Sequence, residues 1–258
     1  MAQQIEIEGV SMTYRSKTGD DIVALRDVDV AIGHQEFVTL VGPSGCGKST
    51  LLKLIAYLIE PTRGRLNLDG KLHTKPSRDI GIVFQDAVLL PWRNVIDNVL
   101  LPIEILGLEK QTYRTKAMEL LELVGLQGFE KRMPKELSGG MQQRTAICRA
   151  LIHDPSVLLM DEPFAALDAM TREELGFELM RIWDEHKKTI VFVTHSVPEA
   201  ILLADRVVVM TPRPGRIAEI IDIELSRPRT LDMEFSQAFK EYSDQVRSLI
   251  YTRDVAAP

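Results

Sequence analysis

The sequence contains little cysteine and no long uncharged apolar run. Two cysteines occur in 258 residues, which argues against a disulfide framework and favours a reducing compartment. No apolar run approaches the roughly 20 residues that span a bilayer, and the N-terminus has no signal-peptide pattern. We therefore expect any association with a membrane to be made through a partner.

Basic residues are outnumbered by acidic ones. The chain has 31 Lys and Arg against 37 Asp and Glu, a formal net charge of −6 at pH 7, and no dense basic cluster. Because binding to nucleic acid normally requires a basic surface, we expect no nucleic-acid partner. A hydrophobic content of 45% and a charged content of 26% are typical of a globular protein with one large domain, with or without a subdomain.

One glycine-rich stretch carries most of the functional information. Its consecutive residues match the pattern G-x-x-x-x-G-K-[ST] and are Gly42, Pro43, Ser44, Gly45, Cys46, Gly47, Lys48, Ser49 and Thr50. In this pattern the backbone N–H groups point at phosphate oxygens, the lysine places a charge near the β and γ phosphates, and the following hydroxyl reaches Mg²⁺. The stretch therefore predicts a nucleotide-binding site.

The residues on either side of this loop suit that interpretation. The run 37–41 is apolar and β-branched, as a strand buried in a parallel sheet should be. After the loop, apolar residues recur at helical spacing: Leu51, Leu52, Leu54, Ile55 and Leu58. A helix that begins here directs its N-terminus at the bound anion. The alternative, a glycine-rich turn that binds nothing, accounts less well for these neighbours.

A second pattern ends in two carboxylates. The apolar run 157–160 is followed by Asp161 and Glu162. Phosphoryl transfer requires a carboxylate that holds Mg²⁺ and a group that orients the attacking water. Asp161 suits the first task, and Glu162 suits the second as a general base. Taken alone, such a pair is often only a solvated strand end or a helix cap; beside a phosphate loop the catalytic interpretation is favoured.

The remaining periodicities predict an α/β fold. Alternating apolar residues within the first ~40 positions, with a turn at 18–20, predict antiparallel strands, and 65–72 looks like a further hairpin. Short apolar runs predict a parallel sheet covered by helices on both faces. These runs are 80–84, 157–160, 189–193 and 207–210.

Helical patterns replace the strand signal between Gln85 and about Pro155, which predicts a helical insertion. The segment 171–188 predicts one more amphipathic helix. Its apolar face, which we expect to lie in the core, contains Leu175, Leu179, Ile182 and Trp183.

A third motif lies between Leu137 and Arg144. Ser138 is a plausible helix N-cap, and Gly139 and Gly140 leave backbone N–H groups at the positive end of that helix. The segment resembles the signature motif of ATP-binding cassette (ABC) proteins. It also precedes the strand with the two carboxylates, as it does in that family.

Other motifs of this family follow in order across about residues 5 to 210. Gln85 resembles the Q-loop glutamine, which touches Mg²⁺ and water, and Ala166-Leu167-Asp168 resembles the D-loop. His195 resembles the switch histidine that contacts the γ phosphate, and Tyr14 resembles the aromatic residue that stacks on adenine. A lone histidine or tyrosine in such a position is otherwise often structural.

The resemblance implies a P-loop NTPase cassette of α/β class: a mostly parallel sheet flanked by helices, with an antiparallel β subdomain and a helical subdomain. The ATP-binding domain would span 1–230, with the helical subdomain inserted at about 86–155. A C-terminal tail, for which no motif indicates a role, would span 231–258. Two cassettes would form a head-to-tail dimer around two ATP molecules. One subunit would supply Lys48, Asp161, Glu162 and His195, and the other Ser138, Gly139 and Gly140.

The region 86–99, with Leu90-Pro91-Trp92 as its distinctive part, resembles the nitrate, sulfonate, taurine and bicarbonate importer group, as does the segment 212–217. This implies a cytoplasmic subunit at the inner face of the plasma membrane. It would bind permease subunits and work indirectly with a periplasmic or extracellular solute-binding protein.

Ser196 stands where many relatives carry Asp, which should spare catalysis. An exporter cassette and a soluble non-transport ABC ATPase are the alternatives, and Leu89 to Trp92 could also be a surface patch without special meaning.

Overall fold

The computed structural model describes residues 3–15, 19–165 and 167–251. The predicted turn at 18–20 begins at Thr18, which lies outside the described residues. The chain divides into two compact units, the first formed by Met1–Ser77 with Thr189–Pro258 and the second by Arg78–Lys188.

Strands and helices alternate along most of the chain. The strands are β1 (Gln3–Tyr14), β2 (Ile22–Gly33), β3 (Phe37–Val41), β4 (Arg63–Leu68), β5 (Lys71–Leu72), β6 (Ile80–Val83), β7 (Val157–Asp161), β8 (Thr189–Val193), β9 (Arg206–Met210) and β10 (Ile217–Asp222). The helices are α1 (Lys48–Ile55), α2 (Val95–Val99), α3 (Leu101–Ile105), α4 (Lys110–Leu123), α5 (Gly139–Leu151), α6 (Ala169–His186), α7 (Val197–Leu203) and α8 (Gln237–Tyr251).

The first unit contains an antiparallel sheet and a mainly parallel group of strands. In the antiparallel sheet the order is β2-β1-β4-β5, as the alternating pattern of the N-terminal residues predicts. In the other group β3 lies between β8 and β9 and is parallel to both, while β10 joins β9 in antiparallel register. All five residues of β3 and of β8 are buried, which explains why these strands are continuous apolar runs rather than alternating ones.

The second unit pairs β6 and β7 in parallel and contains the helices α2 to α6. The predicted helical character after Gln85 is therefore confirmed. The apolar face of α6 is also confirmed, because Leu175, Leu179, Ile182 and Trp183 are all buried.

One detail of the sequence analysis is wrong. The helical spacing of apolar residues after the phosphate loop was extended to Leu58, but α1 ends at Ile55 and Leu58 is exposed. The helix stops because Tyr57 adopts a left-handed conformation with φ 53°. The amide of Leu58 then donates to the carbonyl of Lys53 at 2.9 Å, in the manner of a helix C-cap.

Within the first unit, the chain that follows β10 packs on α7 through a buried arginine that sequence analysis did not single out. Arg229 is buried and donates from Nη1 to the carbonyls of Ile201 (2.9 Å) and Leu202 (3.1 Å), near the end of α7, and from Nη2 to Ile223 (3.2 Å). Burial lowers the pKa of Arg229 to about 10, so the guanidinium is still charged at neutral pH. The side chain thus caps α7 and ties it to the chain that follows β10.

We predict that Arg229→Ala lowers the free energy of unfolding by roughly 2 to 4 kcal/mol, because several buried carbonyls lose their donor together. Urea unfolding of the nucleotide-free protein measures this change. The matched control is Arg247→Ala on the exposed side of α8, which should stay within about 0.5 kcal/mol of the wild type. Equal stability of the two variants would contradict the capping role.

Candidate nucleotide-binding site

The glycine-rich loop connects the buried strand β3 to helix α1 in the first unit. At its end, Gly47 has φ 109°, and a Cβ at this position would lie 2.5 Å from Cδ2 of Leu25 on β2. A side chain is therefore excluded for two reasons, the backbone conformation and the close approach of β2. The tight turn lets α1 begin at Lys48 with its N-terminus directed toward the loop.

Lys48 is the central charge of this loop. The residue is only 6% exposed, and its Nζ donates to the carbonyl oxygens of Gly42 (2.9 Å) and Pro43 (3.2 Å). No ion pair of this ammonium is found within the described ranges. A buried cation that contacts only neutral acceptors is costly until an anion joins it. The loop therefore fits a phosphate group, with the ammonium and the N-terminus of α1 as its positive elements.

Cys46 adds no negative charge beside this lysine. Its Sγ lies 3.9 Å from the Lys48 ammonium and the residue is buried. Burial raises the pKa of the Cys46 thiol, and this effect exceeds the opposite influence of Lys48. The thiol is thus neutral at physiological pH and leaves the lysine charge available to a ligand.

Tyr14 lies next to the helix that follows the loop. It is the last residue of β1 and is 39% exposed, and its hydroxyl is 3.3 Å from Oγ1 of Thr50 on α1. The antiparallel sheet thus places an accessible aromatic ring close to the phosphate loop, although the two segments are far apart in sequence.

His195 follows the strand next to β3. The strands β3 and β8 are parallel, with Leu40 opposite Val193, so the phosphate loop and His195 leave the sheet at the same edge. His195 itself is exposed. Neighbouring parallel strands that end at one edge provide the usual location for ligand binding in α/β proteins.

The residues before and after His195 form a hydrogen-bonded cluster, which the sequence analysis missed. Thr194 is buried, and its Oγ1 donates to the carboxylate of Glu199 and accepts the amide of Ser196 at 3.0 Å. Ser196 is the N-cap of α7, and its Oγ accepts the amide of Glu199 at 3.4 Å. The backbone is therefore held on both sides of His195. The pattern of Ser196 followed three residues later by Glu199 is a capping-box signature that could have revealed it.

The second unit brings three of the predicted residues to one edge. Gln85 comes shortly after β6, and Asp161 is the last residue of the parallel strand β7, with Glu162 next in the chain. Glu162 has a positive φ of 46°, which is uncommon for a residue with a side chain and is often found at functional sites. The turn directs the chain away from the strand immediately after Asp161.

Ser138 caps helix α5, as predicted. Its Oγ accepts the amide of Met141 at 3.3 Å, and Ser138 and Gly139 are exposed. Gly140 is buried, and a Cβ there would lie 2.9 Å from Cγ2 of Thr171 in the first turn of α6. The beginnings of α5 and α6 are thus close together within the second unit.

Asp168 is the N-cap of α6. Its carboxylate accepts the backbone amide of Thr171 at 3.0 Å and the hydroxyl of the same residue at 2.7 Å. These two hydrogen bonds lower the pKa of Asp168. Leu167 and Asp168 of the predicted D-loop are described here, whereas Ala166 lies outside the described residues.

A buried strand, a glycine-rich loop and a helix that starts at a buried lysine define the class: a phosphate-loop nucleotide-binding protein. The family model for ABC transporter matches residues 25–165. An uncharacterized ABC transporter ATP-binding protein of Methanocaldococcus jannaschii is 47% identical over 97% of this chain and 92% of its own. The chain belongs to the ABC transporter family, as the motifs predicted.

Two further relatives carry more specific names. An aliphatic sulfonates import ATP-binding protein of Bacillus thuringiensis is 45% identical over 94% of both chains. A taurine import ATP-binding protein of Rhizobium johnstonii is 42% identical over 97% of both chains. Both names fall within the importer group that the sequence analysis predicted.

Solved structures confirm the predicted fold class. A dimeric ATP-binding cassette in a post-hydrolysis state, bound to ADP and phosphate, matches with a TM-score of 0.76 and 33% identity over 86% of this chain and all of that chain. A second dimeric structure of an ABC transporter cassette matches with a TM-score of 0.77. This protein is accordingly an ATP-binding and ATP-hydrolysing cassette. In the part of the chain that the structure describes, no helix has the length and apolar character to cross a bilayer.

Proposed function

We propose that this chain is the ATPase subunit of an importer for small organic anions of the sulfonate and taurine type. The observation that carries the ATPase part is the buried Lys48 ammonium, which donates to the carbonyls of Gly42 and Pro43 and has no carboxylate partner among the described residues. The importer part is supported by the names of relatives that align over nearly the whole chain.

In this proposal the phosphates of ATP bind the loop from Gly42 to Thr50. Lys48 neutralises charge on the β and γ phosphates, and loop amides donate to their oxygens. Mg²⁺, when bound, withdraws charge from the phosphate oxygens and so assists hydrolysis of the bond to the γ phosphate. Ser49, Gln85 and Asp161 would hold this ion, directly or through water. Their chemistry fits, because hard oxygen donors are the ligands that Mg²⁺ prefers.

Glu162 is the proposed general base. A carboxylate in this role accepts a proton from the attacking water and must be held in a fixed direction. The positive φ of Glu162 supports the role, because such a conformation is costly and persists where the surrounding structure requires it. His195 would contact the γ phosphate from the loop that Thr194, Ser196 and Glu199 hold in place.

A second copy of the cassette would complete each site. Ser138 and Gly139 are exposed at the start of α5, where their backbone can meet the γ phosphate bound to a partner. Asp168 would face the same dimer interface. The dimeric state of the similar solved cassettes supports this arrangement. Binding of the γ phosphate would hold the two subunits together, and hydrolysis would release them.

We predict that Glu162→Gln keeps ATP affinity but abolishes turnover, since the amide cannot accept the proton of the attacking water. The trapped complex should be a stable dimer in the presence of Mg-ATP. Size-exclusion chromatography with light scattering, together with a phosphate-release assay, measures both effects.

Glu173→Gln on helix α6 is the control, because it removes a carboxylate outside the proposed site and should leave turnover and dimerisation as in the wild type. A Glu162→Gln protein that remains monomeric at saturating ATP would argue against the two-subunit site.

The region after Gln85 is the proposed contact with the permease. Trp92 is 71% exposed and Val88 is also exposed, although large apolar side chains normally avoid water. Exposed aromatic groups of this kind are typical of protein interfaces. Asn98 fixes the segment, because its side-chain amide donates to Arg93 O (2.9 Å) and its Oδ1 accepts the amide of Leu90 (2.7 Å). Hydrogen bonds from one side chain thus hold the backbone on both sides of Trp92.

The permease would hold the protein at the cytoplasmic face of the inner membrane. A periplasmic or extracellular solute-binding protein would deliver the anion to the permease without touching this chain, and no nucleic acid takes part. The relatives' import names favour this assignment over an exporter cassette or a non-transport ATPase.

We predict that Trp92→Ala leaves basal ATP hydrolysis intact but reduces uptake of taurine or an alkanesulfonate by the assembled transporter, because the contact with the permease weakens. Phe235→Ala is the matched control, since Phe235 is also a strongly exposed aromatic residue but lies near the C-terminus. Uptake by proteoliposomes is measured for both. Normal uptake with Trp92→Ala would reject the docking assignment.

A further inference from the structure

The turn between β9 and β10 lies directly against the phosphate loop. The amide of Thr211 donates to the carbonyl of Arg216 at 2.9 Å and closes this turn. At its tip, the amide of Gly215 donates to Ala24 O on β2, and its carbonyl accepts the amide of Arg26, both at 2.9 Å. The turn is therefore fixed to the antiparallel sheet at a defined position.

Gly215 makes the contact with the loop itself. A Cβ on Gly215 would lie 1.9 Å from the carbonyl oxygen of Cys46 and 3.1 Å from Cδ2 of Leu25. Only glycine permits such a close approach of two backbones. Leu25 also contacts Gly47 from the same side. The outer side of the phosphate loop is thus supported by β2 and by this turn together.

The side chain of Arg213 extends from the same turn to the phosphate loop. Its Nε donates to the carbonyl of Gly45 at 3.2 Å, and its Nη2 lies 3.2 Å from the position that a Cβ on Gly45 would occupy. Over the residues that the structure describes, Arg213 forms no ion pair with a carboxylate. In contrast, Nη2 of Arg216 in the same turn lies 4.0 Å from Oδ2 of Asp27. A guanidinium therefore lies beside the loop with its charge uncompensated by protein.

We infer that Arg213 is a positioning residue of the phosphate loop that also adds positive charge for the polyphosphate of the nucleotide. The inference rests on the proposed function, because it assigns a further residue to the same site. The hydrogen bond to Gly45 fixes the middle of the loop, where the backbone has no side chain to hold it. The guanidinium supplies a second cation in addition to Lys48, and charge-assisted contacts with arginine are among the stronger ones in proteins.

The test is isothermal titration of ATP and ADP into the wild type, Arg213→Ala, Arg213→Lys and the control Arg216→Ala, at low and at high salt. We expect Arg213→Ala to weaken the affinity for both nucleotides roughly three- to tenfold and Arg213→Lys to weaken it less. The loss should be smaller at high salt, because screening reduces the contribution of the exposed charge. Arg216→Ala should bind as the wild type does, and urea unfolding of the nucleotide-free variants should be unchanged.

The outcomes separate this inference from the proposed function. A wild type that binds neither nucleotide overturns the proposed function. A wild type that binds normally, together with an Arg213→Ala variant of equal affinity, overturns only the role of Arg213. The role of Arg213 is also overturned if Arg213→Lys binds nucleotide as weakly as Arg213→Ala does, or if Arg216→Ala loses as much affinity as Arg213→Ala.

Discussion

The arrangement of this protein depends on a buried ammonium that has no carboxylate to neutralise it within its own loop. Lys48 is held by the carbonyls of Gly42 and Pro43, and these neutral acceptors satisfy its hydrogen bonds without cancelling its charge. The local cost of this arrangement is offset when a polyphosphate binds. Features around the loop preserve this state: the thiol of Cys46 remains neutral, and the glycines admit close contact with neighbouring backbone.

The loop is also supported from outside, by segments that are remote in sequence. The strand β2 approaches at Leu25, and the turn before β10 approaches at Gly215 and Arg213. A phosphate loop must keep its amides directed at one point, and these outside contacts add to the loop's own hydrogen bonds. The C-terminal third of the chain therefore contributes to the site, through this turn and through the strand that precedes His195.

Most of the fold could be predicted from the sequence because its signals are local. Buried parallel strands such as β3 and β8 are continuous apolar runs, and the phosphate loop has a fixed spacing between glycine and lysine. The family and the importer group followed from short motifs and are confirmed. The roles of the individual site residues, including Glu162 and His195, and the boundaries given for the domains and the tail stay predictions.

Other features depend on contacts that no short pattern shows. The strand β10 was not predicted, because its residues alternate weakly and its pairing with β9 is what stabilises it. Leu58 was misplaced, because the left-handed turn at Tyr57 is not marked by glycine. Arg229 lies in no motif, and Arg213 was noted only as part of the segment 212–217. Only the folded chain shows that Arg229 caps α7 and that Arg213 reaches the phosphate loop.

The central claim is that the uncompensated charge of Lys48 binds the phosphates of a nucleotide. The most direct measurement is the ATP affinity of Lys48→Ala compared with the wild type by calorimetry, with an unfolding curve to show that the variant is folded. The account predicts a folded variant whose ATP affinity is lower by roughly tenfold or more, as expected when a charged hydrogen-bond donor is lost. A folded variant with unchanged affinity would contradict it.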